Sequence, residues 1–150
     1  MGLVYAEIEL INAEDIALAR RHFIGEEEIK RMWVTSLVDT GSYMLCINES
    51  IQEQMQFPKV EKRNGQMADG TVQSFDVVTG VELKFKNRRT ICNAMILPGD
   101  SEVLLGAIPL EDMDVLTHPL RQELIVNPEH PNFAQMKLKG VRKVKSKSKN

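Results

Sequence analysis

The sequence predicts a mostly β domain, a small barrel or sandwich with two or three short helices. Three observations carry this. Apolar residues alternate with charged ones at the period of a half-buried strand in "LVYAEIELI" (3–11) and "GVELKFK" (80–86). Turn signals punctuate the chain at short intervals, the sharpest being Asp69-Gly70. Segments of helical period are few and short. The 150 residues, 43% hydrophobic and 27% charged, suit one ordinary globular domain.

After the first strand, Asn12 can cap a helix, Glu14 and Asp15 suit its first turn, and Ile16, Ala19 and Phe23 share one face. A helix over about 13–23 is expected, stopped by Gly25. "IKRMWVTSLVD" (29–39) returns to strand composition. "YMLCINESIQEQM" (43–55) continues as strand, then as a short helix near 48–55 capped by Asn48 or Ser50 and ended by Phe57-Pro58. "KVEKRNGQMADGTVQSFDVV" (59–78) reads as a hairpin turning at Asp69-Gly70, and "GVELKFKNRRTICNAMIL" (80–97) as a second turning near Asn87. A short apolar strand ending at Gly106 follows, then a helix from Pro109 to about Leu116, with "EDMDV" as an acidic helix start. "QELIVNP" (122–128) is the last strand. With no repeat and no mid-chain linker, residues 1–136 read as one domain carrying a helical insertion at about 12–28.

No apolar run approaches the roughly 20 residues of a membrane span, and residues 1–15 carry acids where an export leader carries bases. Cys46 and Cys92 lack metal-ligand spacing and lie among apolar residues, as packing thiols of a reducing compartment do. A cytoplasmic protein is expected. The net charge of −2 conceals an asymmetry: residues 137–150 hold seven Lys/Arg and no acid, leaving 12 bases against 21 acids before them. An acidic body is a poor partner for nucleic acid, and the tail has no aromatic residue to stack on a base. It reads as a solvated, disordered terminus.

"LVDTGSYML" (37–45) places one carboxylate, Asp39, at the end of an apolar run. Asp, Thr, Gly and Ser are all turn residues, so a strand-ending turn is the plain reading. The chemical reading starts from the neighbours. The backbone N–H of Gly41 can approach a carboxylate oxygen, Ser42 can donate a hydroxyl, and both favour the ionised form. One ionised carboxylate is a weak base toward water. Two about 3 Å apart share a proton, and then one serves as base while the other polarises a carbonyl. The chain has no second Asp-Thr-Gly, so a pair requires Asp39 from each half of a two-fold dimer.

These residues resemble the retropepsin-like aspartic peptidases, in particular small prokaryotic single-lobe relatives of the retroviral enzymes. "LVDTGS" resembles the family's active-site motif, and "VLLGAIPLEDMDVLTHP" (103–119) its second signature, an apolar-apolar-Gly strand followed by a helix. "NGQMADGTVQSFDVV" (64–78) lies between them, where the family's flap hairpin falls. The resemblance covers roughly Leu3 to Pro131 and implies a small closed β-barrel. It also implies an aspartic endopeptidase acting as a homodimer on peptide or protein substrates, with no cofactor and no metal. Asp39 would be catalytic, with Thr40 bonding across the dimer, Gly41 and Ser42 orienting the carboxylate, and Gly106 permitting a close strand crossing. Met67, Ala68, Asp69 and Gly70 would form the flap tip. That tip lacks the glycine-rich run of the retroviral flaps and the tyrosine of pepsins, and the insertion at about 12–28 is absent from the most compact members. Where retroviral enzymes build a dimer sheet from their termini, "QELIVNP" is the candidate here.

Plainer readings hold elsewhere. His22, His118 and His130 are scattered, two of them beside prolines, and are expected in turns or on the surface. The eight methionines are read as core filler, with Met67 the one placed to touch substrate. "GEEEIKR" reads as a solvated turn. The alternatives to a peptidase are a protease-like dimer that binds a peptide without cleaving it and, less favoured, a tail-driven binder of acidic partners.

Overall fold

The structure, a computed structural model, describes residues 2–142. The strands are β1 (Tyr5–Asn12), β2 (Arg31–Val38), β3 (Leu45–Asn48), β4 (Lys59–Gln66), β5 (Val72–Phe85), β6 (Arg88–Leu97), β7 (Val103–Leu105), β8 (Val115–Thr117) and β9 (Leu124–Val126). The helices are α1 (Ala13–Arg20), α2 (Glu49–Met55) and α3 (Ala107–Met113). Strands follow the order β1-β2-β7-β3-β6-β5, and β5 pairs back onto β1, closing a six-stranded barrel. The expected mostly β fold and closed barrel are both present. Ile8, Leu10, Leu45, Ile47, Leu83 and Leu105 point inward and are fully buried, each worth about 1.5–3 kcal/mol of apolar burial.

Closure depends on one bent strand. Residues 72–78 of β5 pair with β4, outside the barrel, while Val81–Lys84 pair with β1. Between them the register against β6 slips, and Gly80 adopts φ +72°, open to glycine at little cost. The two hairpins expected for 59–78 and 80–97 are therefore one continuous β4-β5-β6 meander. A glycine that reads as a boundary is a corner, because the bulge turns the strand without ending its pairing.

Local signals were otherwise good guides. Asn12 and Asn48 both cap, accepting from Asp15 N and Ile51 N at 3.1 and 2.8 Å. The turn near Asn87 joins β5 to β6. Helix α1 stops short of Phe23, which is exposed beyond a left-handed His22. Ile11, Ala19 and Ile29 pack together to dock the insertion on the barrel. Helix α3 departs further. It starts at Ala107 because Ser42 and Tyr43 carbonyls accept from Ala107 N and Ile108 N (2.8 and 3.0 Å), a capping supplied by tertiary contact. It ends at Met113, so "EDMDV" lies at its C-terminal end and is not a helix start.

Strand β9 is only three residues long and pairs with β8 in a small separate sheet. The chain beyond it is clasped back onto α3. Asp114 accepts from Asn127 Nδ2 and from the backbone N–H of Gln135, both at 3.0 Å, and His130 Nδ1 lies 2.7 Å from it. The buried Arg88 guanidinium donates to the His130 carbonyl. His130 is thus a half-buried structural residue in a turn, as expected, its N–H donating to the Asn127 carbonyl at 3.0 Å. The Asn127 amide first, then the Gln135 N–H and His130, hold the Asp114 carboxyl down to about 2. Its contribution to stability is complete above the ordinary carboxylate range near ~4 and is lost as pH falls through about 2. Melting curves from pH 6 down to pH 2 are expected to show a steeper acid loss for the wild type than for Asp114→Asn; parallel curves would contradict this.

Residues 137–142 are exposed and outside any helix or strand. The rest of the tail expected to be disordered, 143–150, lies outside the described residues. No helix among the described residues is long and apolar enough to cross a membrane.

Candidate active site

Asp39 follows β2, whose parallel pairing with β7 ends at Val38 and Leu105. The Asp39 N–H donates to the Leu105 carbonyl at 3.0 Å, and Ser42 N to the Asp39 carbonyl at 3.1 Å, so a tight turn leaves the strand under backbone control. That turn aims the carboxylate. Gly41 N donates to Oδ1 and Ser42 Oγ to Oδ2, each at 3.0 Å. A Cβ on Gly41 would stand 3.1 Å from Oδ1, which explains a residue without one. Each oxygen holds one donor and keeps a lone pair free for water or a second acid.

Gly106 fixes the loop from below. A Cβ there would meet the Met44 carbonyl oxygen at 2.3 Å and the Ser42 carbonyl oxygen at 2.7 Å. The chain crosses itself backbone on backbone, as expected of this glycine. Thr40 is exposed beside the carboxylate, at the rim of an apolar groove of about 450 Å³ formed with Val38, Leu110, Leu116 and Leu124.

The β4–β5 hairpin arches over the loop. Between them lies a cleft of about 680 Å³ with Asp39, Gly41 and Ser42 on its floor and Met67 and Ala68 on its roof. The other two residues expected at the flap tip, Asp69 and Gly70, form its turn. Asp69 Oδ1 accepts from Thr71 N and Thr71 Oγ1 (2.9 and 2.6 Å), which holds its carboxyl below the usual range, and neither Asp69 nor Gly70 lines the cleft. The turn is wider than a two-residue one, since Met67 N donates to the Thr71 carbonyl.

Sequence reasoning missed most of the cleft wall: Met44, Cys46, Arg63, Phe75, Met95, Leu97 and Leu104. The alternation of Met95 and Leu97 on one face of β6 was a usable signal, but only pairing shows what that face meets. Cys46 is buried, and its thiol is pushed up to about 11 by that burial and then by the Asp39 charge, so it stays a neutral wall group. Among the described residues, Arg63 and Asp39 are the only two with charged side chains that line the cleft. No cluster of His, Cys, Asp or Glu able to hold a metal ion occurs among the described residues.

A family model described as aspartyl protease matches residues 31–107, just over half of the 150-residue chain. The match runs from β2 through the Asp39 loop and the β4–β5 hairpin to the start of α3. A search of curated proteins returned no match.

Proposed function

The chain belongs to the aspartyl protease family, and from that premise we propose that it is an endopeptidase that works as a homodimer, hydrolysing peptide bonds with water activated by two Asp39 carboxylates. One observation carries the reading. A carboxylate oriented by Gly41 N and Ser42 Oγ faces a roofed cleft, on a chain with one Asp-Thr-Gly. At the two-fold axis the paired carboxylates share one proton. The ionised member takes a proton from water as its oxygen attacks the carbonyl carbon, while the protonated member donates to the carbonyl oxygen. The tetrahedral intermediate then collapses as a proton passes to the amide nitrogen, and the C–N bond breaks. Met67 and Ala68 roof the cleft and limit competing water.

Dimerisation through Thr40 is supported by its exposure and by the apolar groove beside it, where the partner's loop would sit. Strand β9 is spoken for on one side by β8, so its use in a dimer sheet requires its other edge. The free thiols of Cys46 and Cys92 fit the proposed cytoplasmic setting. The test is rate against protein concentration, with dimer fraction followed by sedimentation. Activity per chain is expected to rise with the dimer fraction and to be blocked by a statine inhibitor; a monomer with full activity would overturn the proposal. A binding dimer without hydrolysis is the second reading, favoured by a flap tip whose Asp69 and Gly70 stand outside the cleft. The same assay separates the two.

A further inference from the structure

We propose that the substrate is also held at a second subsite, beside the catalytic cleft, which takes a lysine or arginine side chain against Asp112; this rests on the peptidase reading above. A second cavity of about 450 Å³ shares three wall residues with the cleft, Tyr43, Met44 and Arg63. Strand β6 connects the two along one face. Ile91 and Asn93 line the second cavity, and Met95 and Leu97, the next two residues on that face, line the cleft. At ~3.3 Å per residue the two pairs are centred about 13 Å apart. An extended polypeptide crosses that distance in roughly four residues.

The chemistry of the second cavity is specific. Asp112, on the exposed side of α3, has no hydrogen bond or ion pair among the described residues. Asp112 and Cys92 line the same cavity, and the Asp112 charge contributes, after burial, to raising the Cys92 thiol to about 12. The other charge, Arg63, is already offset by Glu61 Oε1 at 2.8 Å from Nε. Asn93 is exposed and its amide has no hydrogen bond among the described residues, leaving it available to a substrate backbone. Tyr43 and Ile91, both more than half exposed, offer apolar surface to a methylene stem. An apolar wall ending in one free carboxylate matches the side chain of lysine or arginine, with the stem on the wall and the cation on the acid.

The probes are peptide pairs differing only by lysine or norleucine roughly four residues from the cleaved bond, on sequences chosen by profiling a peptide library. Binding is measured by fluorescence anisotropy with the Asp39→Asn chain, and hydrolysis with the wild type. The lysine peptide is expected to bind about two- to fivefold more tightly and to show a correspondingly lower KM, as for a partly exposed ion pair. Adding Asp112→Asn is expected to remove the difference. Equal binding of the two peptides, or a preference that survives Asp112→Asn, overturns the subsite. Hydrolysis without a lysine effect defeats the subsite alone, while a lysine effect in binding without hydrolysis defeats the peptidase reading alone. A lysine preference that emerges only after removal of residues 137–150 makes the chain's own basic tail the occupant and overturns the proposal.

Discussion

Replacing Asp39 with Asn is expected to lower kcat/KM for peptide hydrolysis by about 10²–10⁴-fold, the contribution of a positioned acid–base group. In a homodimer one substitution removes both carboxylates, so neither the base toward water nor the acid toward the carbonyl survives. The fold has little reason to object. The Asn carbonyl oxygen can accept from Gly41 N as Oδ1 does, and the Ser42 hydroxyl, which now donates to Oδ2, can rotate to accept from the new amide. Melting temperature and dimer fraction are therefore expected to stay near wild type while turnover disappears. Hydrolysis at wild-type rate by a purified Asp39→Asn chain would mean that Asp39 is a turn residue and that the chemistry lies elsewhere.

Gly106→Ala is expected to cost both stability and activity. The added methyl would stand 2.3 Å from the Met44 carbonyl oxygen, 2.8 Å from the Met44 carbonyl carbon and 2.7 Å from the Ser42 carbonyl oxygen. All three are backbone atoms, so no side chain can swing aside. Ala107 N and Ile108 N tie the start of α3 to the Ser42 and Tyr43 carbonyls at 2.8 and 3.0 Å, which blocks a simple separation. Overpacking of this kind costs about 1–3 kcal/mol or more, a large share of the stability of a small domain. A fall in melting temperature of roughly 2–12 °C is expected. Any shift of residues 42–44 also moves the Ser42 hydroxyl off Asp39, so the surviving folded fraction should be less active per molecule. A Gly106→Ala chain that melts and cleaves like wild type would show that the crossing is looser than these distances imply. The two substitutions are complementary: one removes chemistry from an intact frame, the other disturbs the frame that holds the chemistry.

Much of this molecule was legible because it is local. Caps at Asn12 and Asn48, the Asn87 turn and the strand periods are set by atoms within a few residues, and the sequence displays them directly. The Asp39 loop is local too: its two donors lie two and three residues ahead of the acid. Elements governed by distant partners were not legible. Helix α3 begins two residues before Pro109 because carbonyls from 42 and 43 cap it, and no pattern within the helix announces them. Strand β5 reads as two pieces because Gly80 looks like an ending, whereas pairing to β4 on one side of it and β1 on the other makes it a hinge in one strand. Nor does the sequence show that, of the four residues at the hairpin tip, Met67 and Ala68 line the cleft while Asp69 bonds Thr71 and builds the turn.

By itself, then, the sequence determined a mostly β chain with one carboxylate beside its own donors and a hairpin turning near Asp69-Gly70, features that follow from residue type and short spacing. The crossing at Gly106 and the arch of the hairpin over the Asp39 loop were implied only by resemblance to the aspartic peptidases. Only the tertiary structure decided that the sheet closes, that Met67 and Ala68 line the cleft, and that one face of β6 runs from Met95 and Leu97 in the cleft to Asn93 and Ile91 beside Asp112. Those outcomes depend on which strands pair and in what register, free energies summed over residues far apart in the chain, and short-range pattern carries no record of them.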